Sequence, residues 1–330
     1  MASSLWKQVL RQNFTQLDNL IQFLELTPEN IEQLDSQPSF ILNLPKRLAE
    51  KIVKNDLNDP IFKQFVPLKK ERATHNDFLL DPLKEEQFRK SSKLLQKYEG
   101  RALIITTSAC AMHCRYCFRK DFPYEKEIID FTKELDTLRQ TASITEVLLS
   151  GGDPLSLNDQ TLSQLFSELN AITHLERIRI HTRFPIGIPE RIDDHFLEIL
   201  KNCTKQIWFI VHTNHASEFD AEVWQSLKKI QQLGIPVLSQ SVLLHGVNDS
   251  VEALQELFQE LINHGVMPYY LHQLDRATGT KHFEVSIKTG LHLIEELQKR
   301  LPGYAIPKYV QEIPEKASKT NLHSLNSFDT

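Results

Sequence analysis

Short apolar, β-branched runs alternate with amphipathic helical patterns along the chain from residue 102 onward. Successive runs start about 30–45 residues apart, which is the length of one strand–helix unit. Each run is therefore predicted to be a buried strand that is followed by a helix packed against it. The six predicted strands are Ala102–Thr107, Glu146–Ser150, Arg177–Thr182, Gln206–His212, Val237–Leu244 and Met267–His272.

The clearest helical pattern spans residues 251–263, where apolar residues recur on one face. Asp249 or Ser250 can cap its start, and Gly265 lies just beyond its end. Before residue 100, helix-like segments dominate. They include a predicted helix over 82–97 with Asp81 as its N-cap and a proline at its first position.

Six consecutive β/α units predict an α/β fold with a parallel sheet and helices outside it. Six strands are fewer than the eight that close a barrel, so we expect a partial (β/α)6 barrel, with a doubly wound open sheet as the alternative. The predicted regions are an N-terminal helical region (1–100), the β/α core (101–300) and a C-terminal segment (301–330). In either sheet, the chemistry belongs at the C-terminal ends of the strands.

The composition describes an ordinary globular chain, with 330 residues of which 41% are hydrophobic and 25% charged. A net charge of −5 provides no global basic field for nucleic acid. No apolar run approaches membrane-spanning length, and the N-terminus lacks the apolar core of a signal peptide. We therefore expect a protein that binds neither nucleic acid nor membrane.

Three of the four cysteines, Cys110, Cys114 and Cys117, fall within eight positions directly after the first predicted strand. A 4Fe–4S cluster held by three thiolates keeps one iron open, and that iron can bind S-adenosylmethionine (SAM). The Cys-x3-Cys-x2-Cys spacing is the radical-SAM signature. The alternatives are a zinc knuckle that uses His113 as fourth ligand, or a chance group of buried thiols. Cys203 stands alone and is expected to be a small buried residue.

The compartment follows from these thiols. Reduced cysteines and an oxygen-sensitive cluster require a reducing environment, so we expect a cytoplasmic protein.

A second loop, Gly151-Gly152-Asp153, follows the second predicted strand. Its two glycines allow the backbone to approach a ligand closely, and peptide groups can receive the amino group of SAM. A Gly-Gly-Asp-Pro turn alone is unremarkable. Its position one β/α unit after the cysteine loop makes it a predicted SAM-binding loop.

Together these motifs resemble the lysine 2,3-aminomutase family over residues 95–320. Within it, the chain looks most like the short bacterial branch, the enzymes of elongation factor P β-lysylation. The segments that carry the resemblance are the cysteine motif, Leu149–Leu155, His181–Pro185, Gln240–Asp249, Tyr269–Asp275 and Glu312–Thr320. The resemblance implies a radical-SAM isomerase that uses a 4Fe–4S cluster, SAM and pyridoxal phosphate (PLP) to move the amino group of lysine from Cα to Cβ.

The resemblance also implies roles for individual residues. Lys319 matches the lysine that binds PLP, with Lys316 as a rival because the glycine-rich run that precedes this lysine in the family is mostly missing. Arg119 matches the arginine that binds the substrate carboxylate. Asp275 and Glu312 match the acidic pair that receives the distal ammonium of lysine, although the free-lysine enzymes carry aspartate at the second position.

Further residues complete the implied site. Lys97, Tyr98 and Arg101 match a segment that holds the phosphate and ring of PLP. His212 and Gln240 end the fourth and fifth strands and are expected to contact SAM or PLP, whereas a nearby histidine, His181, could equally be a satisfied core residue.

The resemblance finally implies partners and leaves alternatives. It implies lysine as substrate, a flavodoxin or ferredoxin as electron donor, and a link to elongation factor P and its lysyl ligase. The inter-subunit zinc of longer family members is not expected, because no cysteine follows Cys203, so any homo-oligomer must form otherwise. Two alternatives stay open: an aminomutase that makes free β-lysine for osmolyte or antibiotic synthesis, and a non-catalytic iron–sulfur redox sensor.

Overall fold

The computed structural model describes residues 4–124 and 130–323. Within these ranges one nine-stranded sheet runs in chain order from β1 to β9. The strands are β1 (Leu94–Leu95), β2 (Arg101–Ile105), β3 (Glu146–Ser150), β4 (Arg177–Thr182), β5 (Gln206–His212), β6 (Val237–Val242), β7 (Met267–His272), β8 (Lys308–Gln311) and β9 (Thr320–Asn321).

The α-helices divide into an N-terminal group and a group that alternates with the strands. The first group is α1 (Leu5–Leu10), α2 (Leu17–Leu24), α3 (Pro28–Ile31), α4 (Lys46–Lys51) and α5 (Pro60–Phe65). The second is α6 (Thr132–Gln140), α7 (Asp159–Asn170), α8 (Phe184–Gly187), α9 (Asp194–Lys201), α10 (Ala221–Gln232), α11 (Val251–Asn263) and α12 (Ile287–Gln298).

The order of the strands identifies the architecture. Strands β2 to β8 are parallel to one another, whereas β1 and β9 add antiparallel edges. A doubly wound sheet reverses its strand order at a switch point, and this sheet never does. The fold is therefore the partial α/β barrel that the sequence predicts. It contains one parallel strand more than the six expected, because β8 continues the sheet.

The inner and outer faces of the sheet differ in burial. Along β3 and β4, fully buried residues such as Val147 and Ile178 alternate with less buried residues such as Leu148 and Arg179. Because strand side chains alternate between faces, the fully buried set packs under the helices and the other set faces a cavity. The inner face of the sheet thus carries polar side chains such as Arg179 beside apolar ones such as Leu148.

Most predicted elements have the observed bounds. Four of the six predicted strands coincide with β3, β4, β5 and β7, and the other two end at Ile105 and Val242, two residues early. Helix α11 starts after Ser250, whose hydroxyl accepts from Ala253 N at 3.2 Å, and Gly265 beyond its end has a φ of +70°. The prediction of this helix and its cap is confirmed.

The predicted helix over 82–97 is wrong. Lys84 adopts a left-handed conformation (φ +50°), which breaks the helix after its first residues, and only a 3₁₀ turn, Glu85–Phe88, remains. Asp81 still accepts hydrogen bonds from the amides of Glu85 and Glu86, at 3.0 and 3.4 Å. Leu94–Leu95, near the end of the segment, form β1 instead, and β1 pairs with β2. Contacts with the sheet have overridden the local helical preference.

Among the described residues, no helix combines the length and the apolar character that a membrane crossing needs.

Candidate active site

A cavity of about 560 Å³ runs along the inner face of the sheet to the C-terminal ends of its strands. This is the end at which the chemistry of α/β barrels is located. Every site residue predicted from the sequence lines it: Lys97, Tyr98, Arg101, Cys110, Cys114, Cys117, Arg119, Gly151, Gly152, Asp153, His212, Gln240, Asp275, Glu312 and Lys319. The structure therefore brings the predicted residues together, while their individual roles stay predictions.

The cysteine loop directly follows β2. Burial raises the pKa of the Cys110 thiol well above its usual value and that of Cys117 to about 11. In the described part of the chain, no three His, Cys, Asp or Glu side chains are arranged to hold a metal ion, so ligation by these thiols stays a prediction. Cys203 lies elsewhere, where its thiol contacts Asn170 Oδ1 at 3.4 Å.

The N-terminal region holds the backbone of this loop. Asn43 Nδ2 donates to Cys110 O at 3.1 Å, and Asn13 Nδ2 donates to Ala111 O at 2.8 Å. The amide of His113 donates to Asn43 O at 2.9 Å, and the amide of Arg115 donates to the carbonyl of Gln64 at 2.8 Å. The N-terminal region thus holds the backbone that carries the three cysteines.

Two residues between the cysteines, His113 and Arg115, have partners in the N-terminal region. His113 Nδ1 lies 2.9 Å from Ile41 O, and its ring stacks on Phe40. The buried guanidinium of Arg115 forms a salt bridge with Glu71 at 2.6 Å. These contacts bind the loop to the N-terminal region, and they account for His113 without a zinc ion.

The Gly151-Gly152 turn packs against the cysteine loop. A Cβ on Gly152 would lie 2.2 Å from Ala109 O, and one on Gly151, whose φ is +118°, would lie 2.8 Å from Thr107 O. Glycine is needed here because the two loops approach closely and because this φ excludes other residues. The two glycines thus allow this loop to approach Thr107 and Ala109, while its approach to a ligand stays a prediction.

Asp153 connects this loop to the end of β4. Its carboxylate accepts hydrogen bonds from Thr182 Oγ1 and from the amides of Leu155, Arg183 and Phe184, at 2.8–3.1 Å. Burial raises its pKa to about 6, although these donors act in the opposite direction. The side chain therefore positions two loops, and a direct contact of Asp153 with SAM stays a prediction.

Glu312 is the centre of a charged group at the opposite side of the cavity. Its carboxylate accepts from Lys319 Nζ and from Tyr98 Oη, each at 2.6 Å, and from Lys97 Nζ. Burial opposes its ionisation, but the Lys319 cation and these donors keep the pKa of Glu312 below its usual value. The guanidinium of Arg101 lies 4.3 Å from the centre of the Tyr98 ring.

The two candidate PLP lysines are clearly separated by their surroundings. Lys319 lines the cavity and is partly buried, whereas Lys316 is exposed and is not part of the lining. The structure therefore favours Lys319 as the reactive amine.

Asp275 lies just beyond β7 and lines the cavity. Burial raises the pKa of this carboxyl to about 7, with Lys319 opposing the shift and Glu312 and Glu85 adding to it. No hydrogen bond to its carboxylate is formed by the described residues. A cationic ligand beside Asp275 would therefore favour the ionised form of this carboxyl.

Arg119 is buried with its carboxylate partner. Its Nε and Nη2 donate to Glu85 at 2.8 and 2.6 Å, and its Nη1 donates to Ser150 Oγ at 3.0 Å. Burial alone would lower the pKa of Arg119, but the attraction of Glu85 leaves it above the usual value. The guanidinium is therefore a fixed positive charge at the cavity wall.

Three histidines form a neutral polar cluster at the strand ends. His181 Nδ1 lies 3.2 Å from His212 Nε2, and His272 lies on the neighbouring part of the lining. Burial lowers the pKa of His212 to about 3 and those of His181 and His272 well below their usual value. In the described residues, His181 Nε2 and His272 Nε2 are buried without a hydrogen-bond partner. Because these two nitrogens line the cavity, a bound polar molecule can hydrogen-bond to them.

Sequence reasoning missed several residues of this lining. Arg183 donates to Cys114 Sγ at 3.0 Å and pairs with the buried Glu218 at 2.9 Å. Glu85 and His272 were missed as well. His272 and Arg183 could have been predicted from the sequence, because both stand at the ends of predicted strands. Glu85 could not, because its position in the cavity depends on a long-range contact with Arg119.

The lining residues fit the cofactors that the sequence implies. Three thiols on one short loop suit an iron–sulfur cluster with one open iron. A lysine amine with Lys97 and Arg101 nearby suits an aldehyde cofactor that bears a phosphate. The unpartnered nitrogens of His181 and His272 provide further polar contacts for a bound molecule.

Comparison with known proteins gives three consistent results. The Radical SAM superfamily model matches residues 104–258. A protein named L-lysine 2,3-aminomutase from Buchnera aphidicola is 37% identical over 325 residues, covering 96% of this chain and 95% of that protein. A protein of the same name from Escherichia coli is 37% identical over 322 residues, covering 96% and 94%.

The solved structures agree on the fold. A radical SAM methyltransferase from Sphaerobacter thermophilus matches with a TM-score of 0.51 and 16% identity, covering 69% of this chain and 72% of that one.

Proposed function

Because this chain belongs to the L-lysine 2,3-aminomutase family, we propose that it is an isomerase that converts L-lysine to β-lysine. The observation that carries the proposal is that one cavity contains the three thiols, the Lys319 amine and two carboxyl groups suited to a diamino acid. A redox sensor would need neither the amine nor the carboxyl groups. When bound, the 4Fe–4S cluster and SAM supply a carbon-centred radical, and PLP supplies the electron sink for amino-group migration.

The residues of the chain have distinct tasks in this proposal. Cys110, Cys114 and Cys117 hold the cluster, and Lys319 attaches PLP covalently. Lys97, Tyr98 and Arg101 hold its phosphate and ring. The histidines and Gln240 line the strand ends, where they orient bound SAM with the backbone of Gly151 and Gly152. These side chains are neutral, so they bind polar groups without adding charge to the reacting centre.

Substrate lysine is held at both of its ends. Arg119 binds the α-carboxylate through a guanidinium fork, and Asp275 and Glu312 receive the distal ammonium. Glu312 is paired with Lys319 in the structure. If Lys319 held PLP, its nitrogen would no longer be a free ammonium, and Glu312 could accept the distal ammonium of the substrate. Two acids would repel an acidic substrate, which favours lysine over glutamate.

The test is anaerobic incubation of the reconstituted protein with L-lysine, SAM, PLP and a reductant, followed by product analysis. We expect β-lysine. Glu312→Gln should raise the lysine concentration required by about one to two orders of magnitude, since a charge-assisted contact is typically worth roughly 1.5–3 kcal/mol. Glu315→Gln is the matched control, because Glu315 is exposed and pairs with Lys84 outside the cavity. Lack of product with an intact cluster and bound PLP would reject the proposed reaction.

We also propose that the β-lysine serves the modification of elongation factor P, with a lysyl ligase as the next enzyme. The support is the likeness to the short bacterial branch and the glutamate at position 312. The oxygen-sensitive cofactor and the reduced thiols favour the cytoplasm, with a flavodoxin or ferredoxin as electron donor.

A deletion strain tests this purpose. Its elongation factor P should lack the mass of one β-lysyl group on one lysine, whereas the complemented strain should retain it. An intact modification together with a loss of free β-lysine would favour the osmolyte or antibiotic alternative.

A further inference from the structure

Glu85 is the partner that determines how Arg119 is presented to the cavity. The two side chains form a two-point salt bridge, and only 7% of the Arg119 side chain and 13% of the Glu85 side chain are exposed. A guanidinium group has five N–H donors. Glu85 takes the Nε–H and one Nη2–H, and Ser150 takes one Nη1–H.

When the partners of Arg119 among the described residues are counted, two of its N–H donors remain. One is on Nη1 and the other is on Nη2. These two nitrogens form the end-on fork of the guanidinium, which matches the two oxygens of a carboxylate. Arg119, Glu85 and Ser150 all line the cavity. The second fork therefore suits a ligand carboxylate while the first stays bound to Glu85.

The backbone around Glu85 is fixed independently of Arg119. Asp81 accepts a hydrogen bond from the Glu85 amide at 3.0 Å, and the left-handed Lys84 turns the chain at this point. Contacts within its own segment thus fix the backbone of Glu85. Its carboxylate can therefore restrain the position of the Arg119 guanidinium.

We propose that Glu85 is a positioning residue for substrate, which orients Arg119 so that its free fork binds the α-carboxylate of lysine. The inference rests on the proposed function, because it takes Arg119 as the carboxylate-binding residue. Glu85 touches no reacting atom in this scheme. Loss of Glu85 should therefore weaken the binding only of ligands that carry the carboxylate.

The experiment measures binding without turnover, by anaerobic calorimetry on protein loaded with cluster and PLP but given neither SAM nor reductant. The ligands are L-lysine and 1,5-diaminopentane, which has both amino groups of lysine and no carboxylate. Glu85→Gln should weaken lysine binding roughly tenfold and should not weaken diaminopentane binding. Glu85→Asp keeps the charge and should recover part of the lysine affinity.

Glu86→Gln is the matched control, since Glu86 lies one residue away, pairs with Arg89 and does not line the cavity. It should change neither affinity. Equal weakening of both ligands in Glu85→Gln, or no change in either, would overturn the inference. If the unmodified protein bound diaminopentane and not lysine, the proposed lysine site itself would be wrong, and the two failures are therefore distinguishable.

Discussion

The affinity for lysine should depend on pH through Asp275. Burial raises the pKa of this carboxyl to about 7, so it is neutral below that pH and ionised above it. The distal ammonium of lysine, with an ordinary pKa of about 10.4, stays charged across the range. Lysine should therefore bind well above pH 7 and progressively less well as the pH falls through it.

The size of the effect follows from the fraction of ionised Asp275. If only the ionised form binds, the apparent Kd is multiplied by 1 + 10^(pKa − pH), which is about 1.1 at pH 8, about 2 at pH 7 and about 11 at pH 6. The change from pH 8 to pH 6 is about tenfold, or about 1.4 kcal/mol. At pH 7, binding should also release about half a proton, because the ammonium favours the ionised carboxylate.

Calorimetry at several pH values, in two buffers of different ionisation enthalpy, measures both quantities. The cavity histidines have lowered pKa values and stay neutral, while Glu312 stays ionised. Asp153, with a pKa of about 6, also titrates in this range. Asp275→Asn removes the carboxyl under test and retains Asp153. This variant should therefore bind lysine weakly, and its affinity should depend little on pH. An affinity of the unmodified protein that is constant from pH 6 to 8 would refute the reasoning.

The other two predictions concern the cofactors. Borohydride reduction should attach PLP to Lys319, and the mass of the peptide should show this. Lys319→Ala should lose the attachment, and Lys316→Ala should keep it. The reverse result would make the assignment wrong. Anaerobically reconstituted protein should contain about four irons per chain, which Cys114→Ala should lose and Cys203→Ala should retain; stoichiometric zinc without iron would contradict the cluster.

The fold was predictable because its parallel strands are short, buried and regularly spaced. Periodicity detects such strands well, and four of them have the predicted bounds. Strands β1, β8 and β9 were not predicted as strands. They are two to four residues long, and they exist because they pair with the edges of the sheet. A local pattern contains no information about such pairing.

The candidate site was predictable from motifs at strand ends, whereas its internal pairing was not. Glu85 stands in a segment with a helical pattern, and nothing local connects it to Arg119, which lies 34 residues later. The loop contacts of Asn13 and Asn43 span still longer stretches of sequence, 98 and 67 residues. Such contacts determine which charges are free, and only the folded chain reveals them.

The charges of the cavity explain why a carboxyl with a raised pKa suits a diamino acid. Arg119 is already neutralised by Glu85, and Glu312 by Lys319. A fully ionised Asp275 would add an unpaired buried charge to the empty cavity, and burying such a charge is costly. With a pKa of about 7, Asp275 is partly protonated near neutral pH when no cation is bound. The ammonium of lysine then restores the ionised form, so ligand charge and protein charge are introduced together.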